Sequence, residues 1–273
     1  MLFAYVITPV VVKVPSGEAL RGLLVPSIRW NSAFLTTLVA IFGTTISPYP
    51  FIWQSSQEAE EQRIDPNKRP LKVSPSTKDE EFARIRDDTL VGMAFSNIIA
   101  IAIIITTAAT LHAHGKTNIE TSAQAAEALR PLAGAFAELF FALGIIGTGL
   151  LAIPVLAGST AYAIGESYKW PVGLARKPKR AVAFYAILAF SVLIGIGLNF
   201  TPLDPIKALY WSAVVNGILA PPIMVLMMLL VRRKAVMGNL KVEGWVYWLG
   251  WLATAVMTLS VAGLAFSVTL GWI

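Results

Sequence analysis

The chain contains no cysteine, which excludes disulfide scaffolds, thiolate metal sites and cysteine nucleophiles. It is also short of charge. Asp, Glu, Lys and Arg make up 14% of its 273 residues, against about 25% in an ordinary soluble domain. No P-loop, nucleophile elbow or HExxH pattern occurs, and paired carboxylates are absent from the apolar runs, so no enzymatic chemistry is expected. The net charge of +6 does not point to nucleic acid, because no basic run is interleaved with the aromatics that stack on single strands. No basic n-region precedes the first apolar run, so no signal peptide is read.

What is present is hydrophobic sequence, at 56%. Uncharged stretches occupy 30–57, 89–115, 139–165, 181–203, 208–231 and 244–273, each 23 to 30 residues long. A membrane-spanning helix needs about 20. The chain therefore reads as an all-α, multi-pass integral membrane protein with one transmembrane domain over 1–273. Lys and Arg between the runs number three, seven, two, five, one and four in chain order. That alternation places the 63–86, 169–180 and 232–241 loops in the cytoplasm. The run from Met1 to Val12, which stops at Lys13, is too short to cross about 30 Å of hydrocarbon. It is expected to be the end of a helix that begins outside this sequence, giving about seven transmembrane segments. Thr77 and Glu80 have capping-box spacing for a charged helix leading into the third run, and 117–130 reads as a small surface helix.

The second run carries the chemistry. Gly43, Thr44, Thr45, Ser47, Pro48, Tyr49 and Pro50 lie within eight positions at its middle. Pro48 removes a helical N–H, and Pro50 removes another two residues later. An unwound backbone at membrane depth is tolerated only where it is buried in protein or lines a cavity, and such breaks form the binding sites of secondary transporters. The donors offered are all oxygen: freed carbonyls, the hydroxyls of Thr44, Thr45 and Ser47, and the Tyr49 phenol. Hard oxygen donors suit Mg²⁺, Mn²⁺ or Ca²⁺. No carboxylate lies within 30–57, so negative charge must come from another segment, or the ion must keep its waters.

The stretch GTTISPYPFIWQSSQEAEE (43–61) resembles the sixth transmembrane helix of the Nramp family of divalent-metal transporters, and is most similar to the branch that carries magnesium and manganese. LRGLLVPSI (20–28), ALGIIGTGLLAIPVLAGSTAYA (142–163) and DPIKALYWSAVVNGILAPPIM (204–224) extend the resemblance over nearly the whole chain. It implies a LeuT-like inverted-repeat fold of the APC superfamily, working by alternating access in the plasma membrane. On it, the seven segments correspond to helices five to eleven. The family's ion-contacting alanine carbonyl and methionine thioether map to Thr44 and Ser47. The soft sulfur is thus replaced by a hydroxyl, which favours Mg²⁺ over Mn²⁺ as transported substrate. The motif histidines associated with proton movement map to Tyr49, which would line the site, and to Gln54. The family's first four helices, with an aspartate of the site, have no counterpart here. The resemblance therefore implies half a binding site, completed by missing N-terminal helices or a complementary chain. No cofactor is implied; the partners are the lipid bilayer and the transported ion.

Asn216, mid-span beside Gly217, either offers an amide oxygen to the ion or its waters or bonds a neighbouring helix. Asn97 is read as a helix–helix contact. His112 and His114 diverge on a helix and read as surface residues, while Glu138 reads as interfacial. Glu58, Glu60 and Glu61 read as a solvated helix end. Two further readings stay open: an amino-acid or small organic solute transporter of the same fold, whose half-helix N-termini would hold a carboxylate, and a non-transporting membrane subunit.

Overall fold

The computed structural model describes residues 3–15, 17, 21–22, 24–25, 31–65, 78–119, 121–240 and 242–269. Thr77 of the expected capping box, and most of the LRGLLVPSI stretch, lie outside these residues. The described elements are helical, and the chain divides into two compact units: residues 1–27 with 76–152, and residues 28–75 with 153–273.

In the first unit, α1 (Phe3–Val11) packs against α4 (Lys78–Thr110). The Thr106 hydroxyl donates to the Tyr5 carbonyl at 2.9 Å, and the Phe3 and Phe95 rings meet edge to face. The charged sequence after Lys78 does not form a separate helix; it continues into the apolar run as a single element of 33 residues. A 3₁₀ turn at His112–His114 ends it, and the His114 ring nitrogen Nδ1 sits 2.8 Å from the Thr110 carbonyl. The surface segment is broken into α5 (Ser122–Ala126), a 3₁₀ turn at Glu127–Leu129 and α6 (Arg130–Ala133). Its start is a capping box between Thr121 and Gln124. Asn97 donates to the Met93 carbonyl of its own helix at 2.8 Å, which uses its amide locally.

Residues of α7 (Ala137–Ser167) belong to the first unit up to Ala152 and to the second from Ile153. In the second unit it is followed by α8 (Val182–Leu198), α9 (Pro205–Leu230), a short α10 (Lys234–Met237) and α11 (Trp245–Thr269). The second uncharged run of the sequence is divided into α2 (Ser32–Thr45) and α3 (Pro48–Ile64). Buried Leu35, Val39 and Ala40 of α2 pack with Ala213 and Val214 of α9 and Leu264 of α11. A second cluster joins Ala161 and Tyr162 of α7, Val172, Ala181 and Phe184, with Ile52 and Trp53 of α3 against it.

Among the described residues, five helical stretches are long and apolar enough to span a bilayer: 32–64, 80–114, 122–167, 205–230 and 245–269. The span expected at 181–203 is α8, which has 17 residues and a length of roughly 25 Å at 1.5 Å per residue. It stops where Asn199, Phe200 and Thr201 turn back onto the carbonyls of Ile196, Gly197 and Leu198. Large apolar side chains face outward along the helices, including Leu150, Leu151 and Leu209, each more than 70% exposed. In water such a surface would associate; against lipid tails it is the expected exterior. This is an all-α, multi-pass membrane protein.

Candidate transport site

The break between α2 and α3 is two residues long. Ile46 (φ −118°, ψ 70°) and Ser47 (φ −89°, ψ 141°) leave the helical region, and Pro48 then opens α3 at its first position. The prolines act on both sides of the gap. In a continuous helix the carbonyls of Thr44 and Ile46 would accept from residues 48 and 50, and both of those are prolines without an N–H. On the other side, Pro48 and Pro50 sit in the first turn of α3, where amides lack an intrahelical partner anyway. The same two residues therefore end one helix and begin the next.

Side-chain hydroxyls at the break point backward into α2. Thr44 Oγ1 and Thr45 Oγ1 donate to the Ile41 carbonyl at 2.7 and 2.9 Å. Ser47, 3% exposed, donates to the Gly43 carbonyl and makes no side-chain cap for α3. The Thr44 backbone carbonyl is thus the freer donor at that position. Ser47 retains only lone pairs.

Two glycines hold the break against α9. A Cβ on Gly43 would lie 2.0 Å from the Ala213 carbonyl oxygen, and one on Gly217 would lie 2.3 Å from the Val39 carbonyl oxygen. The α2 and α9 backbones therefore touch, one residue from Thr44 and one from Asn216. Beside this crossing a cavity of about 550 Å³ opens between the start of α3, the second half of α7, α8 and α9. Its polar lining comprises Tyr49, Thr160, Ser191, Asn199, Ser212 and Asn216, all uncharged. Thr160 and Asn199 bond carbonyls of their own helices. The side chains of Tyr49, Ser191, Ser212 and Asn216 have no hydrogen bond to any described residue. The Tyr49 carbonyl receives the Ser159 hydroxyl at 3.2 Å.

Of the five residues singled out in the sequence, Tyr49 and Asn216 line this one cavity. Thr44 and Ser47 stand at the break beside it and are not part of the lining. Gln54 lies further along α3, exposed, with its amide 3.4 Å from Glu58 Oε1. Ser191 and Ser212 were not foreseen, because single serines inside apolar runs carry no local signal.

The C-terminal end of α3 departs from its expected character. Glu60 is not solvated; it is 6% exposed. Its carboxylate accepts the Leu174 N–H at 3.1 Å, the Ala175 N–H at 2.5 Å and the Tyr162 hydroxyl. Gln57 donates to the Tyr162 oxygen at 3.2 Å, and Ser56 donates to Glu166 at 3.1 Å. Gly173, at φ +135°, completes the arrangement: a Cβ there would lie 2.8 Å from Glu60 Oε1. The cause is geometric. The loop after α7 turns its amides toward α3, and a carboxylate is the acceptor that fills such a cluster best. A buried charge is tolerated only when its lone pairs are occupied in this way.

Residues 1–267 match the family model described as Nramp, natural resistance-associated macrophage protein-like. Among curated proteins, the divalent metal cation transporter MntH of Klebsiella pneumoniae is 24% identical over 256 residues, covering 93% of this chain and 56% of that protein. MntH of Mesorhizobium japonicum is 26% identical over 251 residues, covering 89% and 52% respectively. MntH of Vibrio campbellii is 25% identical over 236 residues, covering 86% and 50%. The chain spans about half the length of these relatives.

Proposed function

The chain belongs to the Nramp family, and from that premise we propose that it forms part of a plasma-membrane transporter of divalent metal cations, with Mg²⁺ as the first substrate and Mn²⁺ as the second. The observation that carries this reading is the broken span beside a cavity lined by neutral oxygen and amide donors. The named relatives are divalent metal cation transporters, which supports the substrate class. The choice within that class rests on donor softness: Ser47 presents oxygen where a thioether would favour softer ions.

In the proposed site the Thr44 carbonyl and Ser47 oxygen face the ion at the break, and Tyr49 and Asn216 hold its remaining waters in the cavity. Gln54 belongs to the exit path. Alternating access then moves α3 relative to α2 about Ile46–Ser47. All these donors are neutral, and a dication in a low-dielectric site needs compensating charge. We place that carboxylate on residues outside the present sequence, in an N-terminal segment or a complementary chain.

The test is Mg²⁺ and Mn²⁺ uptake into proteoliposomes by the longest form encoded in frame with this chain. Ser47→Leu and Thr44→Pro should each lower uptake at least tenfold, and excess amino acids should not compete. Uptake unchanged by both substitutions would overturn the site. Competition by amino acids would favour the organic-solute reading, in which the free amides at the start of α3 hold a carboxylate.

A further inference from the structure

The loop from Tyr168 to Ala181 joins two apolar helices, so it is confined to the membrane surface. It carries Lys169, Arg176, Lys177, Lys179 and Arg180, all exposed. No Asp or Glu occurs between Glu166 and Asp204, and none of the five cations pairs with an acidic side chain among the described residues. A cationic inner loop is ordinary in a membrane protein. This one is distinguished by how firmly its backbone is held.

Glu60 fixes the Leu174 and Ala175 amides. From the other side, the Tyr185 hydroxyl lies 3.0 Å from each of the Leu174 and Arg176 carbonyls. The end of α7 is closed by two reverse bonds, Trp170 N–H to Gly165 O at 2.8 Å and Lys169 N–H to Glu166 O at 3.0 Å. These put Lys169 at φ +56°, in the position that usually takes glycine at a helix end. The last three basic residues sit at a 3₁₀ turn, Pro178–Arg180, with Arg180 N–H bonded to Lys177 O at 2.8 Å. Tyr168 and Trp170 stack with ring centroids 4.9 Å apart and both remain exposed, the aromatic pair expected at headgroup depth.

We propose that this loop is a binding site for anionic phospholipid headgroups of the cytoplasmic leaflet. Its cations are presented by a backbone already ordered by Glu60 and Tyr185, so a headgroup phosphate meets them without the cost of ordering a flexible segment. The aromatic pair sets the depth, and the side-chain ammonium and guanidinium groups of Lys177, Lys179 and Arg180 supply the donors for the phosphate. The site is separate from the transport cavity and does not depend on which ion, if any, is carried.

The test is native mass spectrometry of the full 273-residue chain in detergent, titrated with phosphatidylglycerol or with phosphatidylcholine. The wild type should retain phosphatidylglycerol in preference. Lys177→Gln/Lys179→Gln/Arg180→Gln should weaken that retention about fivefold per charge removed, while Arg233→Gln/Lys234→Gln, on the next inner loop, should change it less. Glu60→Gln leaves every cation in place but loosens the backbone, and should weaken retention as well. Equal retention of the two lipids, or full retention by the triple variant, would overturn the proposal. Displacement of the lipid by millimolar inorganic phosphate would also overturn it, by making the ligand a soluble anion. The substituted side chains are exposed, so an unchanged melting temperature will confirm folding of the triple variant.

Discussion

A carboxylate withdrawn from water needs donors in place of the solvent, and Glu60 has three: the amides of Leu174 and Ala175 and the Tyr162 hydroxyl. Gln at this position turns one acceptor oxygen into an NH₂ group that faces donors, so at least one of those bonds is lost. Hydrogen bonds to a charged group contribute about 1.5–3 kcal/mol each. Glu60→Gln is therefore expected to destabilise the C-terminal end of α3 by about 2 kcal/mol and to accelerate deuterium exchange at the Leu174 and Ala175 amides at least tenfold. Gly173→Ala should act in the same direction, because its Cβ would press on the same carboxylate. Exchange rates unchanged in both variants would show that the loop is held by something else. None of this was legible in the sequence. Glu58, Glu60 and Glu61 look alike at the end of a helix, and the partners that single out Glu60 lie more than a hundred positions away in the chain. Thr44 and Tyr49 were easier to mark, because the prolines that expose them are their own neighbours.

At the scale of the element, the α2–α3 break is local in origin, which is why it could be read from residues 43–50 alone. Proline in a helix interior costs about 3 kcal/mol, and here two of them block the only amides that could serve the Thr44 and Ile46 carbonyls. Pro48→Ala with Pro50→Ala returns those amides. The double variant should join α2 and α3 into one helix, seen as slower exchange at residues 47–51, and should abolish uptake in any form that transports. Unchanged exchange would assign the break to tertiary contacts instead, namely the Gly43–Gly217 crossing and the Ser47 bond to Gly43. By contrast, Pro154, Pro221 and Pro222 lie inside unbroken helices, so proline alone does not predict a break. What marks 43–50 is two prolines spaced so that both fall in the first turn of the following helix. The length of α8 was not legible in the same way: the uncharged run 181–203 continues past Leu198, but its last residues form turns instead of helix.

For the whole molecule, charge balance sets the requirement. The polar side chains lining the cavity are all uncharged, and no carboxylate lies within residues 30–57, which contain the break. A divalent ion held there by this chain alone would keep most of its hydration and bind weakly, because neutral dipoles do not offset two charges in a low-dielectric site. The chain spans about half the length of the relatives it matches, and the proposed site takes its compensating carboxylate from residues outside the present sequence. The decisive comparison is proteoliposome uptake of Mg²⁺ and Mn²⁺ by the 273-residue chain and by the same chain joined to whatever is encoded in frame ahead of Met1. Uptake by the longer form only, together with Mn²⁺ binding at least a hundredfold tighter than in the shorter one, is the expected result. Equal uptake by both would mean that neutral donors and retained waters suffice, and the requirement for a carboxylate from outside this sequence would fall. Uptake by neither would remove the transport reading while leaving the Glu60 tie and the lipid site to be judged by their own measurements.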